Sequence, residues 1–165
     1  MVAAVVLAAG ASSRYGSDPP KQSVFLPEVL RRVRATRSLG DVVVVAGAHE
    51  LDVDATVVPC ADWERGPGAS LRCGLGALAD EAEAAVVVLA DGPELSPEAV
   101  DRVVAAWRQR GAAVVAASYG GERGHPVLLA REAWGRVPDA GARALEPLLV
   151  PCDDLGPPGD VDHPR

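Results

Sequence analysis

The chain has 165 residues, 48% of them apolar, and a formal net charge of −7 at neutral pH. That length suffices for one domain with a buried core. The acidity argues against a general nucleic-acid binder, which needs a basic face to neutralise phosphates, and no apolar run approaches the roughly 20 residues of a membrane-spanning helix.

The start, MVAAVVLAAG, has no basic segment before its apolar run, so it reads as a buried first strand rather than a leader, and this argues for the cytoplasm. Leu26, Val29, Leu30 and Val33 share one helical face, predicting a helix over 26–40 that stops at Gly40. The β-branched run at 41–47 predicts a fully buried parallel strand, followed by a short strand at 55–59. A helix over 70–82 would take Ser70 as its N-cap. The run at 84–91 is a second buried strand, ending on Asp91. Ser96, Pro97, an acidic first turn, arginines in the last turn and Gly111 delimit the clearest helix. A strand and turn follow at 112–121. Residues 124–132 continue as a strand into a helix near 131–137, a short helix covers 141–149, and the Pro/Gly-rich end is a loop. This alternation predicts an α/β fold, a three-layer α/β/α sandwich around a mostly parallel sheet.

Cys60, Cys73 and Cys152 form no CxxC pair and are expected to be reduced thiols. His49, His125 and His163 are scattered and give no zinc spacing. Trp107 and Trp134 read as packing residues, while Trp63 lies in a loop.

Ligands of such sheets lie beyond the carboxyl ends of the strands. The first strand runs into LAAGASSRYGSDPPKQ (7–22). Ala8 and Ala9 leave room for a bulky group, and backbone N–H groups at the Gly10 turn can cradle phosphate oxygens. Arg14 and Lys21 add two cations, one suited to bidentate grip and one a mobile point charge. Of the sixteen basic residues fifteen are Arg, and the single Lys is Lys21, in this loop. The loop fits neither the P-loop nor the dinucleotide fingerprint.

This stretch resembles the LAAGxSxRxG…K signature of the MobA-like nucleotidyltransferases. Three further stretches are similar in the same order: DWERGPGASLRCGL (62–75), VVVLADGPELSPEAV (86–100), and RGHPVLLARE…GARAL…GDVDHP toward the end. The second of the four is most similar to molybdenum cofactor cytidylyltransferases. The resemblance implies a Rossmann-like nucleotidyltransferase fold of the GT-A type, as a single domain over 1–165. It implies a Mg²⁺-dependent enzyme that transfers a nucleoside monophosphate, CMP from CTP as the best assignment, to a phosphorylated acceptor. Molybdopterin cofactor is the implied acceptor, pyrophosphate the leaving group, and a molybdenum hydroxylase a possible protein partner.

By the same resemblance Leu7, Ala8, Ala9, Gly10, Ser12 and Ser70 would contact the nucleotide. Arg14 and Lys21 would hold the triphosphate and act in catalysis. Asp91 would be catalytic and bind Mg²⁺, with Asp160 or Asp162 as the second ligand. His125 and Arg143 would face the acceptor. Cys60 stands where the family carries a polar residue, and the segment after Lys21 is shorter than usual. Two alternatives fit the same residues: a sugar- or alditol-phosphate nucleotidyltransferase, suggested by SDPPKQ, or a non-catalytic module that binds nucleotide or cofactor.

Overall fold

The structure, a computed structural model, describes residues 1–9, 21–48 and 50–159. Seven strands form one sheet: β1 (Val2–Leu7), β2 (Val42–Ala46), β3 (Thr56–Pro59), β4 (Ala84–Leu89), β5 (Val114–Tyr119), β6 (Glu122–Ala130) and β7 (Leu148–Pro151). Their spatial order is β3-β2-β1-β4-β6-β5-β7. Every pair is parallel except those made by β6, which runs antiparallel to both β4 and β5. The helices are α1 (Lys21–Arg34), α2 (Pro67–Gly76) and α3 (Pro97–Arg110).

Strand periodicity assigns each layer. On one face Val2, Ala4 and Val6 pack with Leu26, Val29 and Val33 of α1 and Val100 and Val103 of α3. On the other, Ala3 and Val5 meet Leu71 and Leu75 of α2 and Ala133 of a 3₁₀ turn. The sheet is thus covered on both sides, which is why its central strands β1, β2 and β4 are made only of Ala, Val and Leu. No helix among the described residues is long and apolar enough to cross a membrane.

Several elements depart from the sequence reading. Helix α1 begins at Lys21 and ends at Arg34, short of Gly40. Its exit is taken over by local bonds: the Thr36 hydroxyl donates to the Val33 carbonyl at 2.7 Å, and Asp101 accepts from the Ser38 N–H at 3.2 Å and from the Arg37 N–H at 3.2 Å. Gly40 instead permits close approach, since a β-carbon there would lie 2.8 Å from Met1 Cγ.

Helix α2 starts at Pro67, so Ser70 is a buried second-turn residue and not the cap. Gly66, at φ 132°, holds the N-cap position, and Pro67 is pre-set for the first turn. Ser96 does occupy the N-cap position of α3, though its hydroxyl makes no capping bond, and Gly111 ends that helix in the left-handed region at φ 67°. Residues 120–121 have φ of 62° and 83°, as a tight hairpin turn requires, so β6 starts at Glu122. The expected helix over 141–149 is only a 3₁₀ turn, Ala142–Ala144. Pro147 disfavours helix at the residue before it, and Leu148–Pro151 pairs with β5 as an edge strand.

Cys60 and Cys73 form a disulfide, contrary to the reduced thiols expected, with Cα atoms 5.9 Å apart. The sequence hid this because the partners are 13 residues apart, and only the seating of α2 on β2 and β3 brings them together. Cys152 is a buried free thiol, and burial pushes its pKa up.

Candidate active site

The site is built where β1 and β4 end together. Leu7 pairs with both Val45 and Leu89. The ladder continues one residue further, with the Ala8 N–H on the Val45 carbonyl at 2.9 Å and the Ala90 N–H on the Leu7 carbonyl at 3.0 Å. Ala8–Ala9 and Ala90–Asp91 therefore leave the sheet side by side. Ala9 packs tightly on its other flank: a β-carbon at Gly47 would lie 2.9 Å from Ala9 Cβ and 2.7 Å from Trp63 Cγ. Trp63 thus serves packing next to the opening loop.

The N-terminus of α2 forms the next wall. A β-carbon at Gly68 would lie 1.6 Å from the Pro138 carbonyl oxygen. The Gly68 N–H donates to the Asp139 carbonyl at 2.9 Å. Arg72 donates to the Val137 carbonyl at 2.8 Å and pairs with the Asp139 carboxylate at 2.5 Å. Those Arg72 bonds, with Arg65 nearby, hold the Asp139 carboxyl below the usual range.

Between these walls lies a cavity of about 400 Å³. Leu7, Leu71, Val87 and Leu89 make it largely apolar, and Arg123, His125 and Arg143 are its polar edge. The structure brings Leu7, His125 and Arg143 to one cavity. Burial pushes the His125 pKa down to about 4, against an upward pull from Asp91, with Arg123 adding to the downward shift. The ring is neutral near pH 7. Its backbone is fixed from the side: the Tyr119 hydroxyl donates to the His125 carbonyl at 2.7 Å. The Tyr119 ring lies 3.0 Å from where a Gly124 β-carbon would sit, and burial pushes that phenol up to about 12. Residues 123–125 also border a second cavity of about 410 Å³, closed by Tyr119 and Pro157–Gly159.

Sequence reasoning missed Arg123. Its guanidinium donates to the carbonyls of Leu145 at 2.7 Å, Arg143 at 3.3 Å and Ala142 at 3.3 Å. The signal was present: Arg123 lies two residues before His125, and alternation puts both on one face of a strand.

Beyond Asp91, the C-terminal segment is stitched to the loop after β4. The Glu94 N–H donates to the Pro158 carbonyl at 2.8 Å, and a Gly92 β-carbon would meet Pro158 Cβ at 3.0 Å. Gly10, Ser12, Arg14, Asp160 and Asp162 lie outside the described residues, as does the side chain of Lys21, the first residue of α1. Among the described residues no group of three metal-ligating side chains occurs. Asp91 contributes one hard oxygen donor, the chemistry Mg²⁺ prefers.

Residues 4–149 match the family described as the MobA-like NTP transferase domain. No curated protein matches the chain. Among solved structures, the Mycobacterium sp. strain JC1 homologue of Mycobacterium tuberculosis Rv0371c is 26% identical, with a TM-score of 0.80 over 98% of this chain and 90% of that one. Rv0371c from Mycobacterium tuberculosis H37Rv, in complex with manganese, is 22% identical at TM-score 0.66, over 91% and 88% of the two chains. A nucleotidyl transferase from Methanothermobacter thermautotroptrophicus is 21% identical at TM-score 0.71, over 88% and 80%. The last two likenesses speak for the fold.

Proposed function

The chain belongs to the MobA-like NTP transferase domain family, and on that premise we propose that it transfers CMP from CTP to the phosphate of molybdopterin cofactor, as one domain over residues 1–165. In this reaction an acceptor phosphate oxygen attacks the α-phosphorus of the nucleotide. The bond to the β-phosphate bridge oxygen breaks, and pyrophosphate carries away the electron pair. Such a transfer needs alignment and charge neutralisation rather than a covalent enzyme intermediate.

The supporting observation is the joint ending of β1 and β4 at the Leu7–Leu89 pair. It sets the small residues Ala8 and Ala9 beside Asp91, next to the cavity bearing His125 and Arg143. In this reading Leu7, Ala8, Ala9, Gly10, Ser12 and Ser70 frame the nucleotide, and Arg14 and Lys21 neutralise its phosphates. Asp91, with Asp160 or Asp162, would hold Mg²⁺. When bound, that ion offsets phosphate charge during transfer. The manganese in the Rv0371c complex supports a divalent ion in this fold. His125, neutral near pH 7, offers a hydrogen bond without added charge, and Arg143 supplies the cation facing the acceptor.

The walls Leu7, Leu71, Val87 and Leu89 suit the faces of a flat ring system. A sugar or alditol phosphate would place hydroxyls against them without partners, which is costly. That favours the pterin acceptor over the sugar-phosphate reading that SDPPKQ suggests. A cytoplasmic location belongs to the same proposal, and a molybdenum hydroxylase would be the recipient of the product.

The test is label transfer. The protein is incubated with each α-³²P nucleoside triphosphate, Mg²⁺ or Mn²⁺, and molybdopterin cofactor or a panel of sugar and alditol phosphates. Labelled CMP–cofactor with pyrophosphate release is expected. Transfer only to a sugar or alditol phosphate would replace the acceptor, and no transfer to any acceptor would overturn the reading.

A further inference from the structure

We propose that Arg123 is a positioning residue: it clips the loop 142–145 into place and through that loop sets Arg143 and one wall of the cavity for the acceptor. The inference rests on the acceptor reading of that cavity.

The geometry is specific to a guanidinium. One nitrogen of Arg123 reaches the Leu145 carbonyl at 2.7 Å and the Arg143 carbonyl at 3.3 Å, and the other reaches the Ala142 carbonyl at 3.3 Å. Three carbonyls spread over four residues are gathered by a planar fork of donors, which the single ammonium of Lys cannot span. The clipped segment has little structure of its own. It is one 3₁₀ turn, closed by the Leu145 N–H on the Ala142 carbonyl at 2.9 Å, and it is entered through Gly141 at φ 98°. The base of the clip, by contrast, is a strand residue. Arg123 lies near the start of β6, paired with Ser118 beyond the register shift that follows Ala116, one residue from Gly124, over which the Tyr119 ring is pressed. Arg123 thus ties the end of the β5–β6 hairpin to a loop whose Ala142 and Leu145 pack against the core at the cavity edge. Its charge is committed to carbonyls, so it acts through the loop and through Arg143 rather than on the acceptor phosphate.

Two readouts test this on the whole 165-residue chain, using Arg123→Lys and Arg123→Met. The first needs no ligand: amide hydrogen exchange at Ala144 and Leu145, whose N–H groups bond within the turn, is expected to speed up about tenfold or more in both variants. Exchange in β1 and β4 should stay unchanged, which also reports a folded protein. The second is kinetic, with CTP and molybdopterin cofactor. KM for the cofactor is expected to rise about tenfold while KM for CTP stays within twofold. Unchanged exchange at Ala144 and Leu145, or full rescue by Lys, would overturn the clip. Equal rises in both KM values would overturn its role in acceptor positioning. If the wild-type protein transfers CMP to no acceptor, the functional reading falls, and the exchange result alone decides whether Arg123 holds the loop.

Discussion

Gly68 and Pro138 approach so closely that a β-carbon on Gly68 would lie 1.6 Å from the Pro138 carbonyl oxygen. This contact joins the first turn of α2 to the loop that follows the 3₁₀ turn Arg131–Arg136, beside the cavity lined by their neighbours Pro67 and Ala140. Gly68→Ala must push the two apart. It is expected to cost about 1–3 kcal/mol, the usual range for overpacking, and to weaken nucleotide binding. Gly76, on the same helix, is the control, because a β-carbon there meets nothing within 4 Å. Gly76→Ala should stabilise by about 0.4–1 kcal/mol through the unfolded state. Urea denaturation of the two variants checks the pair, and equal effects would show that the Pro138 contact is not what holds α2.

The Cys60–Cys73 bridge closes a loop that contains Trp63, Gly66, Gly68 and the start of α2. A loop of this size is worth about 3 kcal/mol in chain entropy. Reduction with dithiothreitol, or Cys73→Ser, should lower stability by that order. The reduced wild-type protein and the variant should agree in urea titrations, and a wild-type protein indifferent to reductant would argue against the bridge.

Acid stability carries a signature of His125. Its pKa in the folded protein is about 4, below the ordinary 6.5, because burial penalises the charged ring. The unfolded chain then binds more protons between these two values, so stability falls as pH drops from about 6.5 to about 4. Glu28 acts in a lower window. Its bonds with Arg31 and Arg32 hold it near 2 against an ordinary 4.5, so its contribution is present above 4.5 and is lost toward 2. His125→Asn should flatten the stability profile between pH 6.5 and 4 and leave the slope below 4 intact. A profile unchanged by the substitution would mean that the ring is hydrated.

The layers of this fold were legible because its central strands β1, β2 and β4 are uniformly apolar and α1 and α3 amphipathic: Leu26, Val29, Leu30 and Val33 face the core as spaced. What escaped were features decided by tertiary contact. Ser70 has the chemistry of a cap, but Gly66 and Pro67 claim the helix start three residues earlier. Leu148 and Leu149 read as the end of a helix, but Pro147 and the edge of β5 make them part of a strand. The disulfide depends on where α2 lies. At the site, the strand ends at Leu7 and Leu89 were legible as the ends of apolar runs, whereas the role of Arg123 was not: its two-residue spacing from His125 was visible, but the carbonyls it bonds leave no mark in a sequence.

Lys21 is expected to meet the triphosphate at the start of α1. Lys21→Ala should weaken nucleotide binding about tenfold, or about 1.4 kcal/mol. Calorimetric titration with CTP, GTP, UTP and ATP would show this and rank the four nucleotides at once. Binding of CTP unaffected by the substitution would remove Lys21 from the site.

Asp91 ends the ladder that Leu7 and Leu89 define, one residue beyond the Ala90 N–H bonded to the Leu7 carbonyl. Its backbone is held by the sheet and its loop is held by Pro158. Asp91→Asn keeps the shape and removes the charge, and thermal denaturation reports whether the variant is folded. If Asp91 holds the divalent ion, transfer should fall about hundredfold or more, as loss of a metal's electrostatic contribution of several kcal/mol implies. CTP binding without added metal should change little, while the enhancement of binding by Mn²⁺ should disappear. Measuring that enhancement by titration separates the roles: a variant that still gains affinity from Mn²⁺ yet loses turnover would make Asp91 a positioning group and leave the metal to other carboxylates.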